Sequence, residues 1–163
     1  MHSIFLRNKL TLLAAASLLS VSHFSAQTFS DFTYRGNDKI YNDNPLKPDE
    51  FYSPILQGCY PDPSITKKGD DYYLVNSSFS MFPGVPIFTS KDLVNWKQIG
   101  HVLDRPSQLK VEKGGVSQGI YAPDIKYNKY NDTFYMITTQ FAGGVGNMVV
   151  KTKDPAKGWS EVQ

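Results

Sequence analysis

What the chain of 163 residues lacks narrows it first. It has one cysteine, Cys59, which excludes an internal disulfide framework and a cysteine-rich zinc module. It has no surplus of either charge: 17 Lys+Arg stand against 15 Asp+Glu, a formal net of +2. Residues 1–26 hold Arg7 and Lys9 and no acid, so the remainder carries 15 bases and 15 acids. A chain without a clustered basic face is not built for nucleic acid, and one without a polybasic segment is not built for an anionic membrane surface. Its apolar run Leu10–Val21 is too short to span a bilayer. Hydrophobic content of 40%, with 13% aromatics, excludes a disordered chain.

The same run explains the front of the chain. A short basic segment, Met1–Lys9, precedes it, and Ser25-Ala26 offers small residues before Gln27. That pattern predicts a signal peptide over 1–26 and a secreted or periplasmic protein; the alternative is a buried N-terminal helix. No cysteine ends the run, so no lipid anchor and no membrane contact beyond export are expected. Cys59 is then expected to be a buried, unpaired thiol. Residues 27–53, rich in Asn, Asp and Pro, read as an N-terminal arm rather than a core element.

Past the arm the chain reads as β-structure. Asp71–Ser77, Val85–Ser90, Trp96–Leu103, Thr133–Thr139 and Met148–Thr152 are short runs of Tyr, Phe, Val, Ile and Thr. Gly-Asp, Pro-Gly, Asn-Asp and Gly-Gly pairs divide them. No segment keeps helical spacing over three turns, so the chain is predicted to be all-β. The runs also repeat. Pro63 and Ile65 correspond to Pro123 and Ile125, Tyr72-Tyr73 to Phe134-Tyr135, and Ser90-Lys91-Asp92…Trp96 to Thr152-Lys153-Asp154…Trp159. A period near 60 with several strands suits one blade of a β-propeller, and two copies are too few to close a ring.

One carboxylate stands out. Tyr60-Pro61-Asp62-Pro63-Ser64-Ile65 places Asp62 between two prolines just before a strand. Proline fixes its own φ and restrains the residue before it, so Asp62 has little backbone freedom. That restraint suits a catalytic base, which must be pre-positioned, and suits equally an Asp whose side chain caps its own turn. Other groups carry less. Asp70-Asp71 fits a hairpin turn, Asp92 and Asp154 repeat as turn acids, and Glu112 and Glu161 have no supporting motif. His101 reads as a surface or core histidine. Gly143-Gly144-Val145-Gly146 lacks the following Lys-Ser/Thr of a phosphate loop and reads as a turn or a substrate-rim loop.

Ser53-Pro54-Ile55-Leu56-Gln57-Gly58-Cys59-Tyr60-Pro61-Asp62-Pro63-Ser64-Ile65, then Gly69–Val75, resembles the opening of glycoside hydrolase family 43. The likeness continues through Ser77–Ile87, Ser90–Trp96, Ser117–Asp124 and Lys153–Ser160, and its wording is similar to the β-xylosidase and α-L-arabinofuranosidase branch. The resemblance implies a five-bladed β-propeller of which about the first two blades are present, in a partial catalytic domain over 54–163. It implies an inverting glycosidase acting on xylo- or arabino-oligosaccharides. Asp62 matches the general base of that family, while the general acid Glu and an acid-tuning Asp belong to later blades. The chain alone is therefore expected to be inactive, and to be a fragment of a longer enzyme; the alternative is a degenerate product that retains half a fold. Phe79 matches the aromatic that walls the sugar pocket, and Phe82 lies in the same loop. Tyr121 stands where the family more often has Trp. Asp124 is expected to order its own loop or touch substrate. No cofactor is expected to be required and no metal ligand is identified, although a structural calcium ion is compatible with the complete propeller. The competing reading is a non-catalytic carbohydrate-binding propeller.

Overall fold

The computed structural model describes residues 39–109, 115–141 and 146–163. The predicted signal peptide over 1–26, the first part of the arm, Glu112 and residues 143–145 lie outside the described residues. After a short helix, α1 (Lys39–Asp43), come seven strands: β1 (Ser64–Lys68), β2 (Asp71–Val75), β3 (Gly84–Ser90), β4 (Lys97–Leu103), β5 (Ile120–Asn128), β6 (Thr133–Gln140) and β7 (Gly146–Thr152). They form two antiparallel meanders, ordered β1-β2-β3-β4 and β5-β6-β7. Every pairing between sequence neighbours is antiparallel, as short connections require.

The sequence repeat is the sheet repeat. In the first sheet Ser64 faces Val75, and in the second Asp124 faces Ile137, so β1 and β2 take the places of β5 and β6. Residues 160–163 run along β7 where β4 runs along β3: Ser160 N–H donates to Lys151 O at 2.9 Å, and Val149 and Gln163 exchange both backbone bonds at 3.0 Å. The all-β expectation and the two-unit repeat therefore hold for the described residues.

One apolar core joins the sheets. Val75, Val85, Ile87, Val102 and Leu103 from the first sheet are packed with Ile120, Ile125, Phe134, Met136, Met148 and Val150 from the second. Each such side chain contributes about 1.5–3 kcal/mol of transfer free energy on burial. Alternation along β6 puts Phe134, Met136 and Thr138 inside and leaves Ile137 out, the period-two pattern of a strand with one covered face. β3 is buried continuously from Gly84 to Phe88. Its second face is covered by the loop before β1, where the Tyr60 ring meets Phe88 edge-on at 5.3 Å.

Polar contacts also link the two sheets. Ser64 Oγ accepts the Ile125 N–H at 3.1 Å and Thr66 Oγ1 accepts the Tyr127 N–H at 3.0 Å, so β1 hydroxyls serve the backbone of β5. At the far end Lys68 pairs with Asp132 at 2.5 Å and lies over the Tyr127 ring at 5.0 Å. That hydrogen bond to Asp132 is the main cause that raises the Lys68 pKa.

Two expectations change here. Cys59 is exposed rather than buried, because it sits in an irregular loop ahead of the sheet with no core face to join. Strands also form at Ser64–Lys68 and Ile120–Asn128, outside the apolar runs that mark the others. The described part of the arm carries a five-residue helix without buried residues, and an edge-on contact of Tyr41 with Tyr52 at 4.8 Å.

Candidate active site

Asp62 sits at the end of the sheets where β1 and β5 begin. Its φ is 53°, in the left-handed region that Asp tolerates better than most residues. The flanking carbonyls are tied down. Asn76 Nδ2 donates to Tyr60 O at 2.8 Å and to Pro61 O at 3.2 Å, and Ser77 N–H donates to Pro61 O at 3.0 Å. Both Asn76 and Ser77 are buried, so the loop is fixed from beneath by the chain leaving β2.

The side chain is fixed too. Ser77 Oγ donates to Asp62 Oδ2 at 2.6 Å and accepts the Ala122 N–H at 2.6 Å. Because the amide can only donate, the hydroxyl proton is committed to the carboxylate. The relay runs from the second sheet, through a buried serine of the first, to an acid exposed at the surface. Such an acid is oriented and wet at once, which is the condition for taking a proton from water.

A row of aromatic rings begins on the segments that carry Ser77 and Ala122, the two partners in that relay. Phe79, with φ 50°, forms an isolated antiparallel bridge with Ile120, both backbone bonds at 3.0 Å. Gly119 permits that approach: a Cβ there would lie 2.2 Å from Phe79 O, and its φ is 122°. The Phe79 ring meets Tyr121 edge-on at 5.7 Å, and Tyr121 meets Phe141 edge-on at 6.0 Å. Tyr121 is held by its hydroxyl, which donates to Ser117 O.

The remaining predicted residues separate. Phe82, 48% exposed, is not among these ring contacts. It borders a hollow of about 360 Å³ with Tyr60, Met81, Pro86, Gln98 and His101. Burial lowers the pKa of His101, whose Nε2 is 3.3 Å from Gln98 Nε2. Asp124 accepts a hydrogen bond from Ser64 Oγ at 2.5 Å and pairs with Lys126 Nζ at 3.2 Å. The Ser64 hydroxyl, above all, holds its carboxyl below the usual range. Asp124 thus ties its own strand to β1. Phe141 escapes a reading of the sequence, because it follows a strand end outside any motif.

A second hollow, about 430 Å³, opens at the opposite end among Lys68, Asp71, Lys91, Phe134, Lys153 and Asp154. Its charges are largely satisfied locally, as Lys91 with Asp71 at 3.1 Å and Asp154 with Lys157 at 3.1 Å. Among the described residues no group of three or more His, Cys, Asp or Glu side chains is placed to hold a metal ion.

The chain is similar to proteins of one known family. The family model described as Glycosyl hydrolases family 43 matches residues 51–163. A xylosidase/arabinosidase of Butyrivibrio fibrisolvens is 58% identical over 109 residues, covering 67% of this chain and 20% of the relative. A non-reducing end α-L-arabinofuranosidase of Bacteroides ovatus is 46% identical over 114 residues, covering 68% and 21%. Among solved structures, a GH43_12 retrieved from capybara gut metagenome superposes with a TM-score of 0.73 at 74% identity, covering 78% of this chain and 24% of that one. The chain spans about a fifth of the length of the curated relatives it matches.

Proposed function

The chain belongs to glycosyl hydrolases family 43, and from that membership we propose that the whole protein is an exo-acting, inverting glycosidase with Asp62 as its general base. Its substrates are xylo- or arabino-oligosaccharides, in keeping with relatives named xylosidase/arabinosidase, α-L-arabinofuranosidase and β-xylosidase. The two sheets are two blades of a five-bladed ring, and residues 1–26 export the protein.

The observation that carries this reading is the Ser77 relay. It points one carboxylate oxygen of Asp62 at the protein and leaves the acid exposed, and the segments that hold the relay also carry the Phe79 and Tyr121 rings. A water on the open side gives its proton to Asp62 and attacks the anomeric carbon from the face opposite the leaving group. A carboxylic acid roughly 6.5–9.5 Å away protonates the departing oxygen, the spacing that admits a water between them. That acid, a Glu, and the Asp that tunes it come from parts of the whole protein outside these residues. Phe79 and Tyr121 offer ring faces and edges to the C–H surface of a pentose.

The test is Asp62→Asn in the whole protein, assayed on aryl-β-xyloside and aryl-α-arabinofuranoside. Turnover falls by roughly 10²–10⁴, the usual share of a general base, with the circular dichroism spectrum unchanged. Retained turnover overturns the assignment of Asp62. Pentose affinity without any turnover in the unmutated protein supports a binding propeller instead.

A further inference from the structure

We propose that Phe141 extends the sugar-binding wall beyond Tyr121 and stacks the second pentose of an oligosaccharide, the unit on the leaving-group side of the scissile bond. The inference rests on the glycosidase reading above and adds a specificity-determining residue to it. The rings of Phe79, Tyr121 and Phe141 follow one another in edge-on steps of 5.7 and 6.0 Å. Phe79 is half-buried and its backbone bridges Ile120, two residues from the amide that orients the Asp62 relay. Phe141 lies two ring steps further out and is 71% exposed.

Phe141 is also anchored. It follows directly on β6, whose last residue, Gln140, pairs with Ile120, and its own N–H donates to Gly119 O at 2.9 Å. Gly119 is the residue whose missing side chain admits the Phe79 carbonyl. One glycine therefore holds the backbones at both ends of the aromatic row. Tyr121, the ring between, is fixed by its bond to Ser117 O. Among the described residues Phe141 joins no core cluster, and on a fixed backbone it presents an apolar face at low entropic cost. In an exo-acting enzyme the sugar nearest the base occupies the inner ring, so the outer ring meets the next unit of the chain.

The experiment compares Phe141→Ala and Phe141→Tyr in the whole protein. It measures kcat and KM for xylobiose and xylotriose and the inhibition constant for free xylose. Loss of one stacked ring raises the oligosaccharide KM about tenfold in Phe141→Ala while kcat changes by less than about threefold. Phe141→Tyr returns KM to within about twofold of the unmutated value, and inhibition by free xylose weakens far less than oligosaccharide KM rises. An unchanged oligosaccharide KM overturns the proposal. So does equal weakening for xylose and xylobiose, or a failure of Phe141→Tyr to restore binding. Should the protein bind without turnover, calorimetric titration of xylobiose against xylose reads the same ratio. Failure of the base assignment appears separately, as turnover that survives Asp62→Asn.

Discussion

The chain makes one turn twice, at Pro61-Asp62-Pro63 and at Tyr121-Ala122-Pro123. Asp62 and Ala122 hold corresponding places, both with positive φ, 53° and 39°. In each, the carbonyl of the preceding residue accepts a side-chain bond from the returning strand or its extension: Asn76 Nδ2 to Pro61 O at 3.2 Å, Thr138 Oγ1 to Tyr121 O at 2.7 Å. The scaffolding is shared, but the cargo is not. The first turn displays a carboxylate and stops pairing at Ser64. The second carries a methyl group, bulges, and resumes pairing at Tyr121 and Ile120, where it bridges Phe79. The two turns share a backbone shape, and the second supports the first through the Ala122 amide.

The largest effect comes from breaking the bridge that the second turn adds. Gly119→Ala sets a Cβ at 2.2 Å from a backbone oxygen, on a residue with φ 122°. Neither neighbour is a flexible side-chain tip, so stability falls by more than about 3 kcal/mol, seen in urea denaturation or as lost soluble yield. Next is Ser77→Ala, which removes the link between the turns. It leaves the Ala122 amide without its acceptor, costing about 1–3 kcal/mol. With Asp62 as the proposed base, freeing it from its guide lowers kcat of the whole protein on an aryl glycoside by roughly 10- to 100-fold, with KM moving much less. A kcat unchanged by Ser77→Ala would mean that the relay is packing alone.

A second matched pair sharpens the comparison through pH. Asp92 and Asp154 close corresponding turns, both with carboxyls held below the ordinary value of 3.8. For Asp92 the chief cause is the Asn95 side chain, followed by the Asn95 and Val94 backbone amides. For Asp154 it is Lys157, followed by the Ala156 amide. A lowered folded pKa stabilises fully above the unfolded value and is lost as pH falls through the folded one. Stability contributed by both therefore declines below about pH 4. Asp92→Asn flattens that acid decline more than Asp154→Asn. High salt weakens the Asp154 contribution, whose first partner is a cation, and spares that of Asp92, whose partners are neutral. Acid unfolding at low and high salt reads both differences; equal responses would show that the turns are equivalent.

The sequence shows the strands inside each sheet and hides the first strand of each, β1 and β5, for a physical reason. Asp71–Val75, Gly84–Ser90 and Thr133–Gln140 bury Val, Ile, Phe and Met and read as apolar runs. β1 is Ser-Ile-Thr-Lys-Lys, and two of its hydroxyls serve as acceptors for β5 amides, work that needs polar residues and erases the apolar signal. β5 carries the bulged Ala-Pro-Asp segment, which reads as a turn until its partner strand is seen. Asp62 is legible because two prolines mark it. Ser77 is not: a serine after a strand has no signature, and its worth depends on an amide 45 residues away. Cys59 misleads because cysteine is usually buried, and this one is exposed on the loop ahead of β1.

The smallest expected effect asks whether the second turn still carries a cost that the first has reason to bear. An L-residue in the left-handed region is strained by about 1–2 kcal/mol, and Asp relieves part of that through local hydrogen bonding. Ala122 has no such group, and its methyl is exposed rather than packed. Ala122→Gly removes the strain but loosens the unfolded chain, a loss of about 0.4–1 kcal/mol. The balance is a gain of no more than about 1 kcal/mol, read as a slightly higher thermal midpoint with the amide at that position still protected from exchange. Asp62→Gly behaves differently: the same relief of strain is offset by the lost bond from Ser77, so the midpoint does not rise. If Ala122→Gly destabilises as well, the methyl makes a contact that matters, and the second turn is more than a support for the first.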